Sequence, residues 1–172
     1  MEAETARFLD RRRFVVRGVV QGVGYRPFVY RTAVALELAG TVRNTVEGVA
    51  IEVEGAPASV RTFADLLRAT GPVLARVDEV REQVLAPAGL RGFRILDSDA
   101  PAPGTLVPAD VATCDACVRE LFDPNDRRFR YPFINCTNCG PRYTIIRSMP
   151  YDRSRTSMAP FVQCPECRAE YE

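Results

Sequence analysis

Six cysteines fall in three C-x-x-C pairs: Cys114 and Cys117, Cys136 and Cys139, Cys164 and Cys167. No cysteine lies elsewhere. Two thiolates three residues apart can grip one tetrahedral ion, and a second such pair completes a closed structural site. The 18 residues between Cys117 and Cys136 (118–135) match the spacing of a zinc ribbon or treble-clef knuckle. The first four cysteines therefore predict one Zn2+ site, and one zinc per chain is the expected count. Cys164 and Cys167 stand alone, with five residues after them, and read as half of a second site. A faint repeat supports this: Cys-x-x-Cys-Val-Arg-Glu-Leu-Phe-Asp at 114–123 is echoed by Cys-x-x-Cys-Arg-Ala-Glu-Tyr-Glu at 164–172.

The second chemical segment is GVVQGVGYRPF at 18–28. A glycine-rich turn between a strand and a helix can aim several backbone N–H groups at one point, with the helix N-terminus behind them. Arg26 closes the turn, where its guanidinium could meet two oxygens of a phosphate. By spacing alone, a tight turn with a solvated arginine is an equal reading.

Composition narrows the chemistry. The chain has no histidine, and all 23 basic residues are arginine. Histidine general bases, Schiff-base lysines and P-loop lysines are thereby excluded. The net charge of +1 argues against strong binding along a nucleic-acid backbone. Arg127, Arg128, Arg130 and Arg142 form only a modest basic cluster. No apolar run reaches the length of a membrane span. The opening MEAETARFLDRRR lacks the apolar core of a signal peptide. A reducing, cytoplasmic setting is the expectation, and it favours metal over disulfides.

The elements that must position these residues follow from periodicity. Residues 12–20 read as a strand, and PFVYRTAVALELA (27–39) as a helix with Phe28, Val29, Thr32/Ala33, Leu36 and Ala39 close to helical spacing and Gly40 as its C-cap. TVRNTVEG and VAIEVEG read as two strands around a turn at Glu47-Gly48. PASVRTFADLLRAT is a second helix with Phe63, Leu66 and Leu67 inward, and ARVDEVREQVLA alternates as a half-buried strand. GFRILD is a short final strand. The β-α-β-β-α-β order is the split pattern of an α+β ferredoxin-like fold. This gives a domain over 12–97, a Pro/Gly-rich linker over 98–110, and a zinc-finger region over 111–172 whose first knuckle is complete and whose second is cut short.

Val16-Arg17-Gly18-Val19-Val20-Gln21-Gly22-Val23-Gly24-Tyr25-Arg26, followed by Gly40-Thr41-Val42-Arg43-Asn44-Thr45-Val46-Glu47-Gly48, resembles the acylphosphatase signature. The resemblance implies the same fold, with Arg26 binding phosphate, Asn44 positioning the attacking water, and the amides of Gly22, Val23, Gly24, Tyr25 and Arg26 forming the cradle. Asn44 has a simpler alternative, capping the turn before Gly48. The ending GYRPFVY, joined to CDACVRELFDPNDRRFRYPFINCTNCGPRYTII, resembles the N-terminal part of the hydrogenase-maturation carbamoyltransferase family, HypF. That resemblance implies cleavage of carbamoyl phosphate or another acyl phosphate. For full-length members it implies use of ATP and a HypE partner. The competing reading is a zinc-dependent binding module on a catalytically silent acylphosphatase-like scaffold.

Overall fold

The computed structural model describes residues 9–99, 111–149 and 151–171. Most of the expected linker, residues 100–110, lies outside them. The N-terminal part runs β1 (Asp10–Val19), α1 (Tyr25–Ala35), β2 (Ala39–Thr45), β3 (Gly48–Gly55), α2 (Pro57–Ala69), β4 (Arg76–Leu85) and β5 (Phe93–Ile95). The five strands line up as β4-β1-β3-β2-β5. β1 lies between β3 and β4, antiparallel to both, and β2 pairs antiparallel with β3 and parallel with β5. The first four strands and two helices are the ferredoxin-like arrangement, with β5 added beside β2.

One core explains these choices. Phe14 and Val16 of β1, Val42 of β2, and Val49, Ile51 and Val53 of β3 are fully or almost fully buried. Val29 and Ala33 of α1 and Val60, Phe63 and Leu67 of α2 cover them. Period-2 strands meet period-3.6 helices on a single apolar layer. Leu66, expected inward, is only half-buried, because Val60, Phe63, Ala64 and Leu67 already fill the stripe that faces the sheet.

α1 stops earlier than its sequence suggests. It ends at Ala35, and Glu37 turns the chain with a φ of 56°. Leu38 can then enter the core while its N–H bonds the carbonyl of Ala33 at 2.9 Å. Gly40 is not a helix cap; it is the second residue of β2, opposite Val53.

β4 and β5 sit on opposite margins of the sheet, so residues 86–92 cross its full width. Contacts mark each stage: Arg11 of β1 donates to the Ala86 carbonyl at 3.0 Å, and the Gly40 N–H of β2 donates to the Gly92 carbonyl at 2.8 Å. Between them the buried carboxylate of Glu54, on the central β3, accepts from the N–H groups of Ala88 and Leu90 at 2.6 and 2.9 Å.

The cysteine region is built from short pieces: α3 (Asp115–Phe122), 3-10 turns at Tyr143–Ile145 and Arg153–Arg155, and α4 (Pro165–Tyr171). An Ile146–Thr156 bridge closes a loop between the two turns. The repeat seen in the sequence has a structural counterpart, since α3 starts behind Cys114 and α4 behind Cys164. Glu120 and Glu170, at matching places in the two copies, both pair with Arg128. Among the described residues, no helix is long and apolar enough to cross a membrane.

Candidate active site and cysteine cluster

The loop between β1 and α1 is pinned from below by Val20 and Val23, each 1% exposed. Gln21 holds it sideways: the side-chain amide donates to the carbonyls of Thr45 and Gly48 at 2.8 and 2.9 Å. The loop is thereby locked to the β2–β3 turn. Gly22 and Gly24 adopt left-handed backbone, with φ of 72° and 77°, the type of turn that gathers successive N–H groups into an anion-binding concavity. Among the described residues, the amides of Gly22, Val23, Gly24, Tyr25 and Arg26 donate to no protein acceptor. They stand free at the positive end of α1. Tyr25 itself is a core residue, 1% exposed, whose phenol burial pushes its pKa well above the usual range.

Arg26 lies in the first turn of α1, and Asn44 is the penultimate residue of β2, 1% exposed. The structure brings them together. With its side-chain oxygen facing the guanidinium, Asn44 accepts from Nε and Nη2 of Arg26 at 3.3 Å each. The turn-capping alternative for Asn44 does not hold, because the Thr45 hydroxyl accepts from the Glu47 N–H at 3.2 Å and caps that turn instead.

The cysteine region supplies residues that sequence reasoning missed. Nη2 of Arg26 lies 2.6 Å from Asp152 Oδ1 and also donates to the Tyr151 carbonyl at 3.2 Å. The second oxygen of Asp152 accepts from the Ser98 N–H at 3.2 Å. Arg155 fixes the loop that carries Asp152, donating to the carbonyls of Met149 and Asp99 at 3.2 and 2.9 Å. The finger also lies on the loop itself: a Cβ built on Gly24 would come within 2.5 Å of the Thr137 Cβ, and one on Gly140 within 3.4 Å of the Gly22 carbonyl oxygen. The one sequence signal for Asp152 is a carboxylate beside an aromatic, too common to single out across 125 residues.

Cys114, Cys117, Cys136 and Cys139 converge, with all four sulfurs within 4.8 Å of one another. Three of their separations are 3.7, 3.8 and 3.8 Å. A tetrahedron with Zn–S bonds of ~2.3 Å has edges of about 3.8 Å, so the thiols fit that ion. Burial pushes the Cys117 thiol up, whereas Cys139 is held down to about 6: burial opposes this, but backbone N–H groups and Arg142 outweigh it. Arg142 Nη2 donates to Cys139 Sγ at 3.1 Å, and Arg142 Nε to the Ile134 carbonyl at 3.1 Å. Cys164 and Cys167 are not part of this group. Their sulfurs accept from Arg127 Nη1 at 3.5 and 3.0 Å. Arg127, Arg128 and Arg142 are thus engaged within the finger, rather than arrayed as a basic patch.

Comparison with known proteins agrees with this geometry. The acylphosphatase family model matches residues 12–95, and the HypF finger model matches residues 113–146. An acylphosphatase from Moorella thermoacetica is 50% identical over 94 residues, covering 52% of this chain and 97% of that protein. Carbamoyltransferase HypF2 from Cupriavidus necator is 54% identical over 155 residues, covering 88% of this chain and 19% of that protein. A crystal structure of full-length HypF in a phosphate- and nucleotide-bound form superposes with a TM-score of 0.83 at 42% identity, covering 95% of this chain and 22% of that one.

A ferredoxin-like sheet carrying a glycine loop, an arginine and an asparagine in register defines an acylphosphatase-type domain, and the chain belongs to the acylphosphatase family. Its acylphosphatase domain is followed by a HypF finger, the arrangement found in the N-terminal part of the HypF carbamoyltransferases. The chain spans about a fifth of the length of the curated HypF relatives it matches.

Proposed function

We propose that this chain hydrolyses carbamoyl phosphate or a related acyl phosphate, as the first step of carbamoyl transfer in [NiFe]-hydrogenase maturation. The observation that carries the reading is the contact of Arg26 with Asn44 beside five uncommitted amides. Arg26 and the amides of residues 22–26 hold the phosphoryl oxygens and stabilise charge in the transition state. The Asn44 amide orients a water for in-line attack on phosphorus. The water oxygen bonds to phosphorus and the bridging P–O bond breaks. From carbamoyl phosphate this yields phosphate, carbamate and one proton. No strong base is needed, because carbamate is a good leaving group.

Zinc is the ion assigned to Cys114, Cys117, Cys136 and Cys139. It staples a segment too small to bury a core of its own and takes no part in hydrolysis. Cys164 and Cys167 are assigned to a second, separate metal position. ATP use and delivery to a HypE partner are assigned to the segments that HypF relatives have outside the matched fifth, and the setting to the cytoplasm.

A silent scaffold with a binding finger is the second reading, and the Asp152–Arg26 pair is what favours it, since a carboxylate already engages the guanidinium. Steady-state hydrolysis of carbamoyl phosphate by the wild-type chain and by Arg26→Ala separates the two. The hydrolase reading expects turnover that falls by at least about 10²–10³ in the variant. Equal rates, or none above the uncatalysed reaction, would leave the scaffold reading.

A further inference from the structure

We infer that Asp152 is a positioning residue for Arg26, a finger carboxylate that holds the guanidinium against Asn44 for the chemical step. This rests on the hydrolase reading above. Residue 152 lies outside 12–95, the span matched by the acylphosphatase family model, so the contact is one that the finger adds to the domain.

An arginine side chain samples many rotamers, and one that must meet a transition state gains from being fixed beforehand. Helix α1 fixes only the backbone of Arg26. Among the described residues, three groups hold its side chain. Nη2 lies 2.6 Å from Asp152 Oδ1 and donates to the Tyr151 carbonyl, while Nε and Nη2 both donate to the Asn44 side chain. Asp152 is itself held. Its Oδ2 accepts from the Ser98 N–H at 3.2 Å, and the next residue, Asp99, donates its N–H to the Asn44 carbonyl at 3.0 Å. The links close a ring from Arg26 through Asp152, Ser98, Asp99 and Asn44 back to Arg26. One carboxylate thus ties the guanidinium to the strand that carries Asn44.

A plug, with the carboxylate standing in for phosphate, would take the guanidinium fork side-on through two nitrogens. The contact has a different form. Asp152 approaches Nη2, its other oxygen is committed to Ser98, and Nη1 makes no hydrogen bond among the described residues. The two side chains are 12% and 15% exposed, so salt screens the pair far less than a surface one. The loop that carries Asp152 has its own anchor in Arg155, through the Met149 and Asp99 carbonyls, so the carboxylate is not what holds that loop in place.

The test is steady-state hydrolysis of carbamoyl phosphate, beside calorimetric binding of inorganic phosphate, with the 172-residue chain and its Asp152→Ala and Asp152→Asn variants. Zinc content and melting temperature are followed alongside. In Asp152→Ala, kcat is expected to fall at least about tenfold, because the guanidinium is misplaced in the transition state. Phosphate affinity should not weaken, because the cradle amides and the charge of Arg26 remain. Asp152→Asn, which keeps an acceptor, should recover part of the loss. Unchanged or raised kcat in Asp152→Ala overturns the inference, makes the contact a plug and leaves the hydrolase reading intact. A fall in kcat accompanied by weaker phosphate binding or lost zinc makes Asp152 a structural support and also overturns it. If Asp152→Ala does not fold, Asp152→Asn decides by the same criteria. Absence of wild-type turnover removes the hydrolase reading and the positioning role with it.

Discussion

Thr137 of the finger lies directly over Gly24 of the glycine loop, so closely that a Cβ on the glycine would approach the threonine Cβ to 2.5 Å. Gly24 also has φ 77°. Two independent penalties therefore meet at one position. Gly24→Ala is expected to lose at least about 2 kcal/mol, of which about 1–2 belong to the left-handed backbone. Adding Thr137→Gly should restore only the steric share. Urea unfolding of the single and double variants measures this, and full recovery in the double variant would remove the backbone share.

Gln21 ties the loop to the turn that follows Asn44, through two carbonyls on either side of that turn. Gln21→Ala should cost about 1–3 kcal/mol, as the part-buried Thr45 carbonyl and the buried Gly48 carbonyl lose the amide that donates to both. It should also lower kcat for acyl-phosphate hydrolysis, because the loop and Asn44 no longer share a frame. Asn44→Ala is expected to lower kcat while phosphate still binds to the cradle. Phosphate titration calorimetry beside steady-state kinetics distinguishes the two, and loss of phosphate binding in Asn44→Ala would contradict its role.

The sulfur separations of the cluster predict one tightly held zinc per chain. Cys117→Ser should lose it, and a Cys164→Ser/Cys167→Ser variant should keep it. Elemental analysis after dialysis is the check. Because Thr137 and Gly140 rest on Gly24 and Gly22, metal loss should also weaken phosphate binding at a site that contains no cysteine.

Glu82 on β4 receives hydrogen bonds from Arg68 of α2, at 2.8 Å, and from Arg12 of β1. Burial pushes its pKa up, but the two guanidinium groups outweigh this, and the carboxyl sits below its ordinary 4.5. Folding therefore favours the charged form. The stabilisation is complete above the ordinary value and is lost as pH falls through the lower, folded one. Glu82→Gln should lower the urea midpoint near neutrality, with the gap to wild type closing as the solution is acidified below 4.5. A gap that widened instead would reverse the assignment.

Much of this was legible in the chain. Alternation around Phe14 and Val16 and the stripe of Phe63 and Leu67 give the sheet and its cover. The four clustered cysteines follow from spacing, and the Arg26–Asn44 meeting from two motifs on neighbouring elements. The stop of α1 was not legible, because a buried Leu38 decides it and not Gly40. Nor was Asp152, whose partner lies in another module and whose loop has no periodicity. Local patterns record what a residue needs from its own element, and neither contact is of that kind.

The segment from β4 to β5 has a length set by the sheet it traverses. Four strand spacings of ~4.8 Å make a span of about 19 Å, and the eight steps from Leu85 to Phe93 can reach about 26 Å when extended. Removing two residues would cut that reach to about 20 Å and leave no slack. Shortening there would unseat β5 and uncover the outer side of β2, the strand that carries Asn44, so this unassuming strap sets how short the domain can become.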